Sequence, residues 1–243
     1  MLALAGCFFD DLDFRGTRFR CDDGVTCPAG FSCVAGFCQG MIDAPVVDAP
    51  PACGKIAAFN DNFDLNSVDT VIWNLNSGSI NETGGAAVAT ISPGVANMVS
   101  EFGTSQRAEL TSSQVYIEVL QTTAETFLRV QSDDTHFLEI AMQSGFLSFK
   151  NESGQVGMVV YDNVMHRWWR ISERANTVSF DTSLDGNMWM SRASTPTPGY
   201  AASVTLHFGA RSTMPPQTSS GEAHFENLNG GIGPPAGPCV GGG

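Results

Sequence analysis

The sequence predicts an all-β protein built around a two-sheet sandwich. Between positions 59 and 228, short runs of alternating apolar and polar residues are separated by polar turn sequences such as Asp185-Gly186-Asn187. Short strands at regular spacing are typical of a β-sandwich or barrel. Charged residues make up only 15% of the chain. This low fraction disfavours helices, because exposed helix surfaces are usually rich in Lys, Glu and Arg.

Nine runs fit the strand pattern best. They are Gln114–Gln121, Glu125–Gln131, His136–Gln143, Gly145–Lys150, Gln155–Tyr161, Arg167–Glu173, Asn176–Ser183, Ser203–Ala210 and Glu222–Leu228. No stretch of a dozen residues repeats apolar positions at the helical spacing i, i+3, i+4, i+7, so no long helix is expected.

The charge balance excludes nucleic acid as a partner. The formal net charge is −13, with only 12 Lys and Arg residues among 243, and these are not clustered in the sequence. Nucleic-acid binding needs clustered basic side chains that displace counterions from phosphates. Excess negative charge keeps an exported protein soluble and disfavours adsorption to anionic lipid.

The N-terminal sequence Leu4-Ala5-Gly6-Cys7 resembles a bacterial lipobox, in which small residues precede a cysteine that is lipidated. The resemblance implies an acyl anchor on Cys7 as the only membrane contact. Phe8 in the next position favours an outer-membrane lipoprotein of the cell envelope. Only six residues precede Cys7. A signal peptide needs a basic region and about 7–15 apolar residues, so residues 1–7 are interpreted as a truncated signal: either the true start lies upstream or the chain is a fragment.

Seven cysteines leave six for disulfides once Cys7 is set aside. Residues 8–40 hold Cys21, Cys27, Cys33 and Cys38 in a glycine-rich segment too short to bury a core, which predicts a small disulfide knot. Zinc is disfavoured because no C-x2-C pair exists. Four cysteines allow three pairings. The resemblance to EGF-like knots, carried by the sequence Cys27-Pro28-Ala29-Gly30, implies the pairs Cys21–Cys33 and Cys27–Cys38.

Residues 41–52 repeat Asp-Ala-Pro, which predicts an extended polyproline II linker. Similar linkers occur in surface lipoproteins of myxobacteria. The large domain is predicted over residues 53–239, followed by a glycine tail at 240–243.

The large domain resembles the concanavalin A-like lectin/glucanase superfamily. The resemblance is carried by the segments Phe59–Phe63, Trp168–Ile171 and Val178–Ser183, together with Trp73, the turn Asp185-Gly186 and Trp189. It implies a jelly-roll β-sandwich in which the first and last strands lie side by side. Cys53 and Cys239 are therefore expected to form a disulfide. The resemblance also implies that the tryptophans of the domain more often pack in the core than line a sugar-binding site.

Catalysis is not the favoured interpretation. Glucanases of this fold carry an E-x-D-x-(x)-E strand, and none is present. Gln106–Leu110 resembles the R-x-E-L strand of alginate lyases. That resemblance implies a weak alternative site of Arg107, Glu109, His207 and Tyr116. The other two lyase motifs are missing. A cross-strand ion pair explains Arg107 and Glu109 equally well. No Gly-x-Ser-x-Gly elbow is present, and His136, His166, His207 and His224 lack metal-ligand spacing.

The favoured hypothesis is a non-catalytic domain that binds a glycan or a cell-surface protein. If Val115 and Ile117 point inward, alternation directs Tyr116 and Glu118 outward. By the same count Arg129, Glu139, Lys150, Trp168, Arg170 and His207 share that face. Residues Tyr116, Glu118, Arg129, Trp168, Arg170 and His207 then form the predicted ligand site, although a half-solvated sheet would show the same pattern, and a one-residue slip would reverse it.

No cofactor is expected. The resemblance allows one Ca²⁺ ion at a loop rim, with Asp133, Asp134, Asp181 or Asp185 as ligands, but acidic turns are mostly just solvated and no site is assigned. Three functions thus remain: glycan or protein binding, a polysaccharide lyase or hydrolase with a degenerate signature, and a purely structural envelope protein. A groove in which Arg107, His207 and a tyrosine converge within about 4 Å would favour the enzyme. A flat face of stacked aromatic rings would favour binding, and a face crowded with aliphatic side chains would favour the structural role.

Overall fold

The computed structural model describes residues 27, 31–34, 37–40, 52–212, 216–231 and 235–239. The chain divides into two compact units, Met1–Asp48 and Ala49–Gly243. None of the helices in the described part has the length and apolar character needed to cross a membrane.

The first unit contains an antiparallel hairpin of β1 (Phe31–Val34) and β2 (Phe37–Gly40), in which the backbones of Cys33 and Cys38 are directly opposite each other. Cys27 is disulfide-bonded. Cys7, Cys21, the side chains of Cys33 and Cys38, most of the linker and the glycine tail lie outside the described residues. The lipid anchor and the two disulfide pairings therefore stay predictions.

The second unit is a sandwich of two antiparallel sheets. The seven-stranded sheet has the spatial order β13 (Trp189–Pro196), β12 (Thr177–Ser183), β11 (Trp168–Arg174), β6 (Gln114–Thr122), β15 (Gly221–Glu226), β4 (Ala86–Ile91) and β3 (Ser79–Thr83). The six-stranded sheet has the order β10 (Gly154–Val160), β9 (Phe146–Asn151), β8 (Phe137–Gln143), β7 (Glu125–Gln131), β14 (Thr205–Arg211) and β5 (Val99–Gly103). Two 3₁₀ turns, Ile56–Ala58 and Gly199–Ala202, complete the described elements.

Each of the nine predicted runs contains one strand of the sandwich, which confirms the predicted fold class. Alternation explains the agreement. In β11, for example, Trp169 and Ile171 are fully buried, whereas Trp168 and Arg170 are half-buried on the outer face.

Aromatic side chains fill the core between the sheets. Trp73 packs edge-on against Phe208 with ring centroids 5.2 Å apart, and Phe208 stacks on Phe102 at the same distance. The indole Nε1 of Trp73 donates a 2.7 Å hydrogen bond to Asp61 Oδ2, which satisfies the polar end of a buried ring. Trp73 and Trp169 therefore fill the core as predicted, whereas Trp168 and Trp189 lie on the outer face.

The ends of the sandwich domain are joined covalently. Cys53 and Cys239 form a disulfide across a sequence separation of 186 residues, with their Cα atoms 5.3 Å apart. Backbone hydrogen bonds reinforce the junction, since Asn60 and Ala236 exchange two bonds of 3.0 Å. The predicted Cys53–Cys239 pairing is confirmed.

Candidate functional site

The structure does not bring the six predicted ligand residues together on one face. Tyr116, Glu118, Trp168 and Arg170 lie on the outer face of the seven-stranded sheet, on the paired strands β6 and β11. Arg129 and His207 lie opposite each other on β7 and β14 of the six-stranded sheet. This corrects the expectation of a single face. Alternation determines whether a residue points toward the core, but not which of the two sheets its strand joins.

The weak lyase site also fails to assemble. Arg107 Nη2 donates a 2.6 Å hydrogen bond to the carbonyl oxygen of Ser203, and Glu109 pairs with Lys55, which lowers the pKa of the Glu109 carboxyl. The expected Arg107–Glu109 ion pair is therefore replaced by these separate partners. Tyr116 and His207 lie on different sheets, so no groove joins the proposed lyase residues.

A polar recess occupies the outer face of the six-stranded sheet, and we call it the charged groove. It is formed by Glu101, Glu125, Phe127, Arg129, Gln131, Glu139, Lys150, His207 and Arg211. These residues alternate with core positions such as Leu128, Ile140 and Phe208 on the same strands. Strand register places His207, Arg129, Glu139 and Lys150 in one row across four neighbouring strands.

Glu139 is the centre of the charged groove. Although it points away from the core, the residue is only 1% exposed. Its carboxylate accepts from Arg129 Nη2 at 2.8 Å and from Arg211 Nη2 at 2.8 Å, and Lys150 Nζ lies 3.4 Å away. Burial alone would raise the pKa of Glu139, but hydrogen bonding and charge from Arg211, helped by Arg129 and Lys150, hold it below its ordinary value. Glu139 is therefore ionised at neutral pH and is not suited to donate a proton.

The charged groove keeps hydrogen-bonding capacity that the protein does not use. His207 is 6% exposed, and its Nδ1 atom has no hydrogen-bond partner among the described residues. The nearest charged group is the Glu101 carboxylate, 3.6 Å from Nδ1, and His207 Nε2 lies 3.0 Å from Thr205 Oγ1. A cavity of about 190 Å³ opens in the groove, and Glu101, Arg129, Gln131 and Arg211 are among its lining residues.

The outer face of the seven-stranded sheet carries a cluster of aromatic rings. The Tyr116 ring centroid lies 6.2 Å from that of Trp168 and 5.8 Å from that of Trp189. The guanidinium of Arg170 is 4.2 Å from the Trp189 ring centroid, within the range of a cation–π contact. Sequence reasoning predicted Tyr116, Trp168 and Arg170 here. It assigned Trp189 only a structural role, because a tryptophan after a turn carries no signal of which face it joins.

Glu118, the fourth predicted residue on this face, is committed to the protein itself. Its Oε1 accepts a 2.5 Å hydrogen bond from Arg167 Nε, and its Oε2 accepts one of 2.6 Å from Asn227 Nδ2. Both carboxylate oxygens thus hold neighbouring strands and loops rather than face a ligand.

Within the described ranges, no group of three or more His, Cys, Asp or Glu side chains could hold a metal ion. The acidic residues considered for calcium have local partners. Asp133 Oδ1 accepts from the backbone of Thr135 and His136, Asp181 pairs with Arg170, and Asp185 Oδ1 accepts from the backbone of Asn187 and Met188.

No protein-family model and no curated protein matches this chain. Many solved structures are similar in fold, among them the following three. An apo Crh5 transglycosylase has a TM-score of 0.51 at 10% identity, over 74% of this chain and 86% of that chain. A Crh5 transglycosylase in complex with NAG has a TM-score of 0.50 at 12% identity, with the same coverage. A laminarinase from Flavobacterium sp. UMI-01 has a TM-score of 0.50 at 10% identity, over 70% of this chain and 96% of that chain. At these identities the similarity shows the fold alone, a concanavalin A-like jelly roll.

Proposed function

We propose that the protein binds a neutral glycan in the charged groove of the six-stranded sheet. The observation that carries this proposal is the fixed ion-pair network around Glu139, which lies beside the unpartnered Nδ1 atom of His207 and the Glu101 carboxylate. A buried ion pair adds little net stability compared with an apolar core, so stability alone does not account for the network. It does hold Arg129 and Arg211 in one geometry, as a preorganised binding site requires.

The chemistry of the groove suits sugar hydroxyl groups. Glu101 accepts hydrogen bonds, Arg129 and Arg211 donate them, and the Gln131 amide does both. The positive and negative charges around Glu139 balance each other, which favours a neutral ligand. The similar solved structures include a laminarinase and a transglycosylase in complex with NAG, which supports testing β-glucan and chitin oligosaccharides first.

The test is a calorimetric titration of the full chain with laminari- and chito-oligosaccharides. Glu101→Gln is expected to weaken binding of the preferred sugar about 10-fold, because a hydrogen bond to a charged group contributes about 1.5–3 kcal/mol. The control is Glu222→Gln, which removes the same charge from the other sheet, at a side chain 41% exposed. Absence of binding at millimolar sugar, or equal affinities of the native protein and Glu101→Gln, contradicts the proposal.

Glycoside cleavage is the second candidate, favoured by one observation. Glu101, Glu125 and Glu139 all lie on the outer face of the same sheet, and glycoside hydrolysis uses two opposed carboxyl groups. Because Glu139 is only 1% exposed and both of its carboxylate oxygens are bound by Arg211, the remaining pair is Glu101 and Glu125 on β5 and β7. One strand separates these two, and their positions in the register differ by two residues, so their backbones lie roughly 12 Å apart, which suits an inverting mechanism better than a retaining one.

Product analysis separates binding from cleavage. A binding protein leaves laminarin and chitin oligosaccharides intact. An enzyme releases new reducing ends, and Glu101→Gln abolishes their release while some binding remains. If the native protein releases reducing ends and Glu101→Gln does not, the protein is a hydrolase and the binding proposal is rejected.

We also propose that lipidation of Cys7 holds the protein at the cell envelope, with the linker 41–52 separating the sandwich from the membrane. The lipobox-like sequence Leu4-Ala5-Gly6-Cys7 supports this. Expression of the natural gene with Cys7→Ser is expected to move the protein from the membrane fraction to the soluble fraction. Native protein whose mass carries no acyl chains contradicts the proposal.

A further inference from the structure

The outer face of β11 presents an unusual series of side chains. Alternation places Trp168, Arg170, Ser172 and Arg174 on the same side of the strand. Together they present one aromatic ring, two cations and one hydroxyl group. From Trp168 to Arg174 the strand covers roughly 20 Å at about 3.4 Å per residue. This length matches a short segment of a polymer better than a single small molecule. We call this series, with its neighbours Tyr116 and Trp189, the outer strip.

One end of the outer strip is aromatic. Tyr116, Trp168 and Trp189 are each half-buried, so part of every ring reaches solvent. Arg170, whose side chain is 20% exposed, lies over the Trp189 ring and is oriented by a 2.9 Å ion pair with Asp181. Aromatic faces beside a fixed guanidinium combine an apolar contact surface with directional hydrogen-bond donors.

The other end of the outer strip is a cavity of about 720 Å³ with three cations in its lining: Lys55, Arg170 and Arg174. Arg174 is exposed, and its guanidinium has no hydrogen bond or ion pair with another residue of the described ranges. Ser112 adds a hydroxyl group to the same cavity, whereas the Ser172 hydroxyl donates to Asp181 Oδ2 at 3.3 Å.

The acidic residue in this cavity does not neutralise Arg174. Glu173 is 6% exposed, and its Oε1 accepts a 2.8 Å hydrogen bond from Thr197 Oγ1. Its Oε2 accepts from the backbone amide of Ser112, and this bond lowers the pKa of the Glu173 carboxyl. Glu173 therefore anchors two loops, and neither of its oxygens bonds Arg174.

The concentration of cations contrasts with the rest of the molecule. The chain has only 12 Lys and Arg residues and a net charge of −13, yet three of those cations line one cavity beside an aromatic cluster. Lys55 pairs with Glu109 and Arg170 pairs with Asp181, so Arg174 is the cation of this cavity that has no carboxylate partner among the described residues. An exposed guanidinium without a partner in an acidic protein favours a negatively charged ligand.

We propose that the outer strip binds an anionic polysaccharide, with sugar rings on the aromatic end and carboxylate groups at Arg170 and Arg174. The site is separate from the charged groove, because it lies on the opposite outer face of the sandwich and uses no residue of that groove. A neutral glycan would satisfy the aromatic end but leave the Arg174 end without a partner. A polyuronate supplies a carboxylate on every sugar, and guanidinium groups bind carboxylates with two parallel hydrogen bonds.

The test uses polygalacturonate as the anionic polymer and dextran as the neutral one, each titrated against the full chain by affinity electrophoresis and calorimetry. The native protein is expected to bind polygalacturonate and not dextran. Arg174→Gln is expected to weaken this binding about 10-fold or more. Arg174→Lys is expected to weaken it less, because lysine keeps the charge but not the two parallel hydrogen bonds. Raising the salt concentration about 10-fold weakens the interaction, because the contact is electrostatic and exposed.

Two further variants fix the location. Trp189→Ala removes the ring under Arg170 and is expected to weaken binding, provided that circular dichroism gives a native spectrum. Arg192→Gln is the matched control, since it removes the same charge on β13 outside the strip, where Arg192 Nε donates to Thr182 Oγ1. It is expected to bind like the native protein.

Three results overturn the proposal: no binding of polygalacturonate, equal binding by Arg174→Gln and native protein, or equal binding of dextran and polygalacturonate. These results are distinguishable from failure of the charged groove. That failure appears with neutral oligosaccharides and Glu101→Gln, whereas the outer strip is tested with a polyuronate and Arg174→Gln.

Discussion

Arg211 and Glu139 belong to strands that do not pair with each other, yet their side chains form a two-point ion pair. Arg211 Nη1 lies 3.0 Å from Glu139 Oε2, and Arg211 Nη2 lies 2.8 Å from Glu139 Oε1. The Arg211 side chain reaches across β7, whose Phe127 ring centroid is 5.2 Å from the guanidinium carbon. One arginine therefore connects β14, β7 and β8 on the outer face of the six-stranded sheet.

Arg211→Met is expected to lower the free energy of unfolding by about 3 kcal/mol, because it leaves the buried Glu139 carboxylate without the arginine that bonds both of its oxygens. Urea denaturation measures the change. Arg174→Met is the control, since Arg174 is exposed and unpaired within the described residues, and its expected effect is within about 0.5 kcal/mol. Similar losses in both variants would mean that the ion pair contributes nothing specific.

The fold and parts of the candidate sites followed from the sequence, for different physical reasons. Period-two alternation located nine of the thirteen sandwich strands described, but not β3, β4, β5 or β13. It correctly grouped Glu139 with Arg129 and Lys150, and Tyr116 with Trp168. It could not divide these groups between sheets, because sheet membership depends on pairing between distant strands. His207 illustrates this: it lies opposite Arg129 on the neighbouring strand and contacts Gln131, which is 76 residues away in the sequence.

Other features gave no sequence signal. The outer strip depends on Arg174 reaching the same cavity as Lys55, which is far away in the chain. Arg107 and Glu109 looked like an ion pair on one strand, but Ser203 and Lys55 are better placed partners once the chain is folded. Such contacts are set by tertiary packing rather than by local pattern.

Reduction of the Cys53–Cys239 disulfide is expected to lower the free energy of unfolding by about 3–5 kcal/mol, because the bond closes a very long loop and restricts the unfolded chain. Comparison of the Cys53→Ser/Cys239→Ser double variant with the native protein under non-reducing conditions measures this effect. Each single variant is expected to lose as much as the double variant, because either change breaks the same bond. A double variant as stable as the native protein contradicts the prediction.

Glu82 is expected to make the stability depend on pH. It is 1% exposed, and its carboxyl group has only weak hydrogen bonding, to the backbone of Ser67 and Asp69. Burial, together with the negative charges of Asp61 and Asp69, raises the pKa of Glu82 to about 7. Because the folded-state pKa is above the unfolded value, the folded protein holds the proton more tightly. This contribution is complete below pH 4.5 and is lost as the pH rises through 7.

Glu82→Gln removes that dependence. Between about pH 4 and pH 8 the free energy of unfolding of the variant is expected to rise relative to the native protein by about 3 kcal/mol, at about 1.4 kcal/mol per unit of pKa shift. Denaturant midpoints at several pH values measure the difference. Asp134→Asn, an exposed loop position, serves as the control. A constant difference between Glu82→Gln and native protein across this range would show that Glu82 is not the titrating group.

Gly186→Ala tests how the turn between β12 and β13 supports the aromatic end of the outer strip. Gly186 has a φ of +73°, and an added Cβ would lie 3.0 Å from Cε2 of Trp168. The alanine therefore meets both backbone strain and a clash with the indole ring.

Gly84→Ala is the matched control, because Gly84 has a φ of +62° but open space around the added Cβ. Strain alone is expected to destabilise Gly84→Ala by about 1 kcal/mol, and Gly186→Ala by about 1 kcal/mol more, since the ring must move. Thermal unfolding followed by tryptophan fluorescence measures both, and the native-state emission is expected to shift only in Gly186→Ala. Equal losses of stability with no spectral shift would mean that Trp168 does not pack against this turn.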